Sequence, residues 1–505
     1  MDSLAAGQRP DRSRPRLRRE AGTLAALDQP DQLPHQRQPV RRRVAVPPAQ
    51  AHAVMTAGGL MPIPMGWRDE LDRPIACRSD GELVSRRQFI ADLNHNIGLL
   101  GQRPDEAAIL STANLYWFAV GLFALAACRK RTILAANDLP ATLAGLTDHA
   151  GLLVGDREHA FSGVQHRLQR SDDARGTAWP EIALTAPICF FTSGSTGGPK
   201  RIDKELRHLV TEAEAISDLF AAQRAGFRSV CGTVPHHHAY GLAFRLVWPL
   251  ISGIPFAEET PEFLEQALAE LDIGAVFVTS PAHLHRLDGF APLPSARRPA
   301  CVLSAGAPLD GEAAQRAQEL FGCAVTEIYG STETGALASR LHDRSGEPWR
   351  PLPGVQLSQD PSGHASATAP HIPGGQAVLA DHVRRRDDAG FDLLGRRDRV
   401  VKIEAKRVSL DEVEARLREL ADVEDAIVIV RGHPARLAAC VVPSGAGAGF
   451  LANEGAFRFN RRIRAALAIH LEAASLPRHW RFVEQLPRGA LGKISQRDVE
   501  TLFDE

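Results

Sequence analysis

The stretch at residues 190–204 limits what this chain can be more than any other. It reads Phe190-Phe-Thr-Ser-Gly-Ser-Thr-Gly-Gly-Pro-Lys-Arg-Ile-Asp-Lys204. The apolar run at 188–191 predicts a buried strand. It leads into small hydroxyl residues and glycines, and glycine permits backbone shapes that other residues resist. Thr192, Ser193, Ser195 and Thr196 supply hydroxyl donors, the exposed amides add more, and Lys200 adds a positive charge. A polyphosphate tail requires that many donors at once. Two readings stand at this point, a flexible Gly/Ser turn and a phosphate-binding loop. The pattern G-x-x-x-x-G-K-[ST] is not matched, because Pro199 precedes the lysine and Arg201 follows it.

A chain of 505 residues exceeds one ordinary core and implies two or more domains. Its net charge of -1 sets up no global field for nucleic acid or a membrane surface. The 7 cysteines are scattered without a C-x-x-C pair, which excludes a zinc framework or a disulfide scaffold and fits a reducing, cytoplasmic setting. The longest apolar stretch, residues 115–128, is too short for a bilayer crossing and reads as a buried helix.

Residues 1–60 differ from the rest. They are rich in Arg, Pro and Gln, lack lysine, and carry Arg16-Leu-Arg-Arg19 and Arg41-Arg-Arg43. Such a composition buries too little apolar surface to offset ordering entropy. It reads as a disordered basic arm, a targeting peptide, or an over-extended translation whose real start is Met55, Met61 or Met65.

From residue 67 the pattern becomes globular. Helices are expected at 85–100 with Ser85 as N-cap, at 115–127, at 139–149 and at 206–220. Strands are expected at 131–136, 151–154, 230–234, 275–279, 300–303 and 324–329. This alternation argues for a parallel sheet covered by helices. Ligands of such sheets sit beyond the carboxyl ends of the strands. The loops there are Pro235-His-His-His-Ala-Tyr-Gly241, Ser304-Ala-Gly-Ala-Pro-Leu309 and Tyr329-Gly-Ser-Thr-Glu-Thr334. Three consecutive histidines do not converge on one metal unless the backbone bends sharply. Taken alone, the Thr-Glu pair reads better as a cap before a helix.

The string Thr192-Ser193-Gly194-Ser195-Thr196-Gly197-Gly198-Pro199-Lys200 resembles the phosphate loop of the adenylate-forming superfamily, and the downstream loops extend the resemblance. It implies an α/β large N-terminal domain with layered sheets and helices, plus a small, mobile α+β C-terminal domain. The expected boundaries are 61–395 for the large domain and 396–505 for the small lid. His238 matches the histidine of His-x-Tyr-Gly, which lines the acyl pocket and gates it towards the thiol. Gly306, Ala307 and Pro308 match the backbone segment that meets adenine. By the same resemblance Tyr329, beside Gly330, stacks on adenine, Thr332 holds the α-phosphate, and Glu333 holds Mg²⁺, a hard cation suited to carboxylate and phosphate oxygens.

Asp381 stands where the family has its ribose-binding aspartate, with Ala380 in place of the usual glycine. Gly395-Arg-Arg-Asp-Arg-Val-Val-Lys-Ile403 resembles the interdomain hinge, with Asp398 at the pivot, Arg396 at ribose or phosphate, and Lys402 within it. A hairpin over 403–409 carries Arg407, and Ala405 replaces a common glycine beside the pantetheine arm. The second domain should hold helices at 411–420 and 461–471 and strands at 425–430, 438–442 and 480–483. Leu486-Pro-Arg-Gly-Ala-Leu-Gly-Lys-Ile-Ser-Gln-Arg497 resembles the terminal motif that carries the catalytic lysine, here Lys493.

The resemblance implies ATP-dependent activation of an aryl or acyl acid to an acyl-adenylate, with pyrophosphate release. Transfer to CoA or to a carrier protein's phosphopantetheine follows. The alternatives are an amino-acid adenylation domain and a non-catalytic nucleotide-binding relative. A nucleic-acid protein led by the basic arm lacks any basic stripe interleaved with aromatics in the globular part.

Overall fold

The most apolar segment of the chain becomes its central helix. The computed structural model describes residues 59–61, 67, 70–174, 178–193, 199–261, 263–342, 347–360, 364–386, 389–396, 399–403, 406–432, 435–471, 473–488, 494 and 496–504. Helix Leu115–Ala127 is buried on nearly every side. It starts where Asn114 Oδ1 accepts from the amides of Tyr116 and Trp117 at 2.8 and 3.2 Å, satisfying two of the donors a helix start leaves open. Helices Arg86–Gly101 and Leu206–Leu219 pack into the same core. Ser85 caps the first of them, and apolar spacing gives the second its one buried face.

Two sheets flank this core. One has six strands in the order Val164–Arg167, Leu152–Gly155, Ala107–Leu110, Arg131–Leu134, Pro187–Ser193, Pro199–Glu205. They run parallel except for the last, which returns antiparallel on Pro187–Ser193. The second sheet has nine strands. Its middle is parallel and includes Ser229–Gly232, Ala275–Thr279, Cys301–Ala305 and Val325–Ser331. Gly335–His342 then turns back antiparallel on Val325–Ser331.

Several expected elements change extent. The helix expected at 139–149 stops at Pro140–Ala144 and continues as turns. Pro199–Glu205, expected as loop, is a strand: Ile202 is its one buried apolar residue, and pairing with Pro187–Ser193 supplies the rest of its order. The helix expected at 461–471 runs over Gly445–Leu467, broken at Gly455, whose φ of +79° suits glycine alone.

After the hairpin Asp381–Arg385/Phe391–Arg396 comes a smaller α+β part. It consists of the hairpin Val400–Ile403/Lys406–Ser409, helix Leu410–Arg418, the three-stranded sheet Val423–Arg431, Arg436–Pro443, His479–Phe482, and the long helix. Its apolar interior is separate from that of the larger part. Met61, one of the three candidate starts, is 3% exposed, and its amide donates to Ile182 O at 2.8 Å. No helix among the described residues is long and apolar enough to cross a membrane.

Candidate functional site

The carboxyl ends of the strands gather the loops that the sequence singled out. Strand Pro187–Ser193 and strand Pro199–Glu205 form a hairpin in which Thr192 faces Lys200 and Ser193 faces Pro199. Thr192 Oγ1 donates to Lys200 O at 3.4 Å. Gly194, Ser195, Thr196 and Gly197, at the tip, lie outside the described residues. Lys200 reaches across to the next loop, where its Nζ donates to Glu333 Oε1 at 2.5 Å. The two residues are 133 positions apart. Burial pushes the Glu333 carboxyl up, but the Lys200 hydrogen bond and the turn's own donors outweigh it, so the group is held below its ordinary range.

Tyr329-Gly-Ser-Thr-Glu-Thr334 is a tight turn between two antiparallel strands, with a bulge after Tyr329. No helix follows it, so the helix-cap reading of Thr332-Glu333 fails. Two glycines are required here. A Cβ on Gly330 would lie 2.2 Å from Gly335 O, and Gly335 has a φ of +72°. Ser331 and Thr334 close the turn, with Ser331 N donating to Thr334 Oγ1 at 3.1 Å.

Tyr329 faces the next predicted residue. Its hydroxyl donates to Asp381 Oδ2 at 2.7 Å, and its ring packs at 5.8 Å from Trp349 and 6.1 Å from Phe391. Asp381 in turn sits opposite Arg396 in its hairpin. The segment Gly306, Ala307, Pro308 bends at Gly306, whose φ is +98°. It is tied to the Tyr329 strand through Leu309 N, which donates to Glu327 Oε1 at 3.2 Å. Glu327 is 2% exposed and also accepts from Arg340 and His342.

His238 begins the short helix Ala239–Gly241, which packs against strand Gly335–His342. Gly241 is needed because a Cβ there would meet Pro235 O at 2.1 Å. The deeply buried member of the three is His236. Its Nε2 donates to Thr112 O at 3.0 Å and its ring lies 4.8 Å from Phe118. Burial holds it well below its ordinary pKa, hence neutral. The three rings form a staircase rather than a common ligand set, and no metal-holding cluster of His, Cys, Asp or Glu occurs among the described residues.

In the smaller part, Lys402 and Arg407 face each other in the hairpin register. Arg399 anchors that hairpin, donating to Glu414 and to Val428 O at 3.0 Å. Asp398, between this anchor and the Asp381–Arg396 pairing, lies outside the described residues. Lys493 does too; the segment around it is closed by a bridge between Arg488 and Ile494. Burial, then the pull of Asp310 and the charges of Arg488 and Asp425, act on His285, which pairs with Asp310 at 3.0 Å.

Sequence reasoning passed over four supports: Arg245, Glu327, Glu212 and Lys204. Arg245 is 0% exposed and donates to Val234 O, Thr260 Oγ1 and Glu259 O at 2.6, 2.6 and 2.7 Å, fixing the strand end that precedes the histidines. A lone cation inside the apolar run 242–251 was its signal. Glu212 lies on the apolar face of its helix, which is the signal it gave.

Residues 119–367 match the AMP-binding enzyme family, and 412–493 match the AMP-binding enzyme C-terminal domain. The chain is 30% identical over 313 residues to a 4-coumarate--CoA ligase from Cereibacter sphaeroides, spanning 61% of this chain and 70% of that protein. It is 28% identical over 378 residues to a 4-chlorobenzoate--CoA ligase from an Arthrobacter species, spanning 64% and 68%. The fold is shared with ATP-bound MatB from Rhodopseudomonas palustris at a TM-score of 0.72 and 19% identity, covering 86% of this chain and 97% of that one.

Proposed function

The chain belongs to the AMP-binding enzyme family, and on that premise we propose that it is an AMP-forming acid–thiol ligase acting on an aryl carboxylic acid, with CoA as acceptor. The observation that carries this reading is the junction of Lys200 with Glu333 beside that of Tyr329 with Asp381. The reading assigns these four residues as a phosphate-facing cation, a hard-oxygen carboxylate, an adenine-facing ring and a ribose-facing carboxylate. The aryl preference and CoA rest on the relatives' names. The same site would serve any small acid, and a carrier-protein thiol is the other acceptor to test.

In the first step a carboxylate oxygen of the acid bonds to the α-phosphorus, the bond from that phosphorus to the bridging oxygen breaks, and pyrophosphate leaves. Two anions must meet, so the work of the site is neutralisation and alignment. Lys200 and Lys493 supply positive charge, and the amides and hydroxyls of Thr192, Ser193, Gly194, Ser195, Thr196 and Gly197 supply donors. Thr332 faces the α-phosphate. Tyr329, Asp381, Arg396 and the Gly306–Pro308 backbone fix the nucleoside.

Glu333 fits a magnesium site: in this structure its carboxylate already holds a cation, the Lys200 ammonium, at 2.5 Å. One carboxylate plus phosphate oxygens and water is the usual set for that ion. When bound there, magnesium would offset the negative charge that develops on the phosphate oxygens.

In the second step the thiol sulfur bonds to the acyl carbon and AMP leaves. The smaller part, 396–505, turns about Asp398 between the steps. That exchanges Lys493 for the hairpin of Lys402 and Arg407, while His238 opens the acyl pocket towards the thiol.

A pyrophosphate-release screen over aryl, fatty and amino acids tests the proposal, run with CoA and then with a phosphopantetheinylated carrier protein. Turnover confined to aryl acids and CoA supports it. Release driven only by amino acids, or thioester formed only on the carrier protein, replaces the acid or the acceptor accordingly. Absence of nucleotide binding removes the reading altogether.

A further inference from the structure

Glu327 lies inside strand Val325–Ser331, two residues before Tyr329. Alternate residues of a strand share a face, so its side chain leaves the backbone on the side of the Tyr329 ring. A buried carboxylate is costly unless it is paired and hydrogen-bonded. Glu327 is both, and its two oxygens serve different neighbours.

Oε1 accepts from Leu309 N at 3.2 Å, the amide that directly follows the Gly306–Pro308 segment. Oε2 accepts from Arg340, Nε at 2.6 Å and Nη2 at 2.5 Å, and from His342 Nδ1 at 2.6 Å. The Arg340 guanidinium in turn lies over the Trp349 ring, 4.6 Å from its centroid. Trp349 is buried, and its ring centroid stands 5.8 Å from that of Tyr329. Trp349 is itself pinned, since it exchanges two backbone hydrogen bonds with Phe391, each at 2.9 Å. One carboxylate is thus joined, contact by contact, to the Gly306–Pro308 segment on one side and to the Tyr329 ring on the other.

We propose that Glu327 is a positioning residue for the nucleotide base. One oxygen fixes the Gly306–Pro308 segment. The other, through Arg340 and Trp349, fixes the Tyr329 ring, so the gap between segment and ring is set from a single buried group. The inference rests on the reading of that segment and that ring as the two walls around adenine. Spacing matters there because dispersion attraction falls steeply once a gap opens. The triphosphate tail, held by other loops, does not depend on this spacing.

The test measures calorimetric binding of ATP and of inorganic tripolyphosphate, both with magnesium. It compares wild type with Glu327→Gln, Arg340→Lys, the Glu327→Gln/Arg340→Met double variant and Tyr329→Ala. The KM of the acid and the thermal midpoint are read on each. Tripolyphosphate has the charge of the ATP tail without the base, so a lesion confined to the base spares it. Glu327→Gln weakens ATP binding about tenfold or more, the loss expected when hydrogen bonds to a charged group go. Tripolyphosphate binding and the KM of the acid stay as in wild type. Replacing both members of a buried ion pair is often near neutral for stability. The double variant therefore regains thermal midpoint over Glu327→Gln but not ATP affinity.

Equal weakening of ATP and tripolyphosphate, or ATP binding that returns with the midpoint in the double variant, overturns the proposal. Should Glu327→Gln fail to fold, Arg340→Lys decides, because it keeps a cation on Glu327 and loses the flat stack on Trp349. Weaker ATP binding beside intact tripolyphosphate binding then supports the proposal, and unaltered ATP binding sinks it. Tyr329→Ala separates the underlying reading. If that variant keeps the wild-type margin of ATP over tripolyphosphate, the ring does not meet the base, and the reading falls with the proposal. If it loses the margin while Glu327→Gln keeps it, the reading stands and the proposal alone fails.

Discussion

Tyr329 and Asp381 carry the clearest single-residue consequence. Their hydrogen bond at 2.7 Å has a charged acceptor, and such bonds contribute about 1.5–3 kcal/mol. Tyr329→Phe keeps the ring against Trp349 and Phe391 and removes that hydrogen bond from the carboxylate. We expect the KM for ATP to rise about tenfold or more, since each 1.4 kcal/mol is a factor of ten, with the KM of the acid unaffected. Steady-state kinetics in each substrate checks it. Lys493 belongs to the chemistry itself. Removing a preorganised donor to developing charge costs on the order of 10²–10³ in rate, so Lys493→Ala should abolish acyl-adenylate formation by about that much or more. Wild-type pyrophosphate release from that variant contradicts its role.

At the level of elements, the hinge and its anchor can be separated. Arg399 binds Glu414, 4% exposed, and Asp411 at 3.1 Å, and so belongs with helix Leu410–Arg418. Gly395, on the other side of Asp398, has a φ of +98° and would place a Cβ 2.3 Å from Asp411 Oδ2. Proline fixes φ, so Asp398→Pro should spare adenylation and block thioester formation; equal loss of both half-reactions argues against a pivot there. Arg399→Ala instead takes from buried Glu414 its closest cation and leaves it Arg418 at 3.4 Å and Val428 N at 2.7 Å, so the cost falls below the about 3–5 kcal/mol of a buried charge left wholly unpaired. It should lower the thermal midpoint and hasten proteolysis within 399–504, a readout that Asp398→Pro leaves near wild type.

These elements also show what the sequence could and could not convey. Helix Leu115–Ala127 and strand Ala275–Thr279 were legible to the residue, because burial on all sides leaves a continuous apolar run. Strand Pro199–Glu205 was not, since Lys-Arg-Ile-Asp-Lys carries one apolar residue and its order comes from pairing. The start of helix Gly445–Leu467 was hidden behind Gly-Ala-Gly-Ala-Gly, a poor helix former. The resemblance to the family's motifs pointed to Glu333, Tyr329 and Asp381, but not to Lys204, Glu212 or Arg245. Those three match no loop signature; for Arg245 and Glu212 the signal was a charge set inside an apolar run or face, and Lys204 gave none.

Over the whole molecule, the buried histidines set a response to acid. His166, His208, His236, His237, His283, His285 and His371 are all held below their ordinary value of 6.5, burial being the first cause in each. His208 is brought down to about 4, while its Nδ1 accepts from Glu205 N at 2.9 Å. A histidine with a depressed folded pKa binds fewer protons folded than unfolded. Its contribution is therefore complete above 6.5 and is lost as pH falls through 6.5 towards the folded value. For His208 that contribution is on the order of 3 kcal/mol. The half-buried carboxyl of Glu214, pushed up to about 7, works in the opposite sense: its contribution is lost as pH rises from 4.5 to 7. Seven histidines against few such carboxyls leave the sum acid-sensitive. The thermal midpoint should thus fall steadily from pH 7 to pH 4, ahead of the ordinary carboxylate range. His208→Gln removes one titrating group, so its midpoint should fall less steeply over that interval, whatever its value at pH 7. A slope equal to that of wild type would mean that His208 titrates alike in the folded and unfolded chain, and that the loop it closes at Glu205 is open to water.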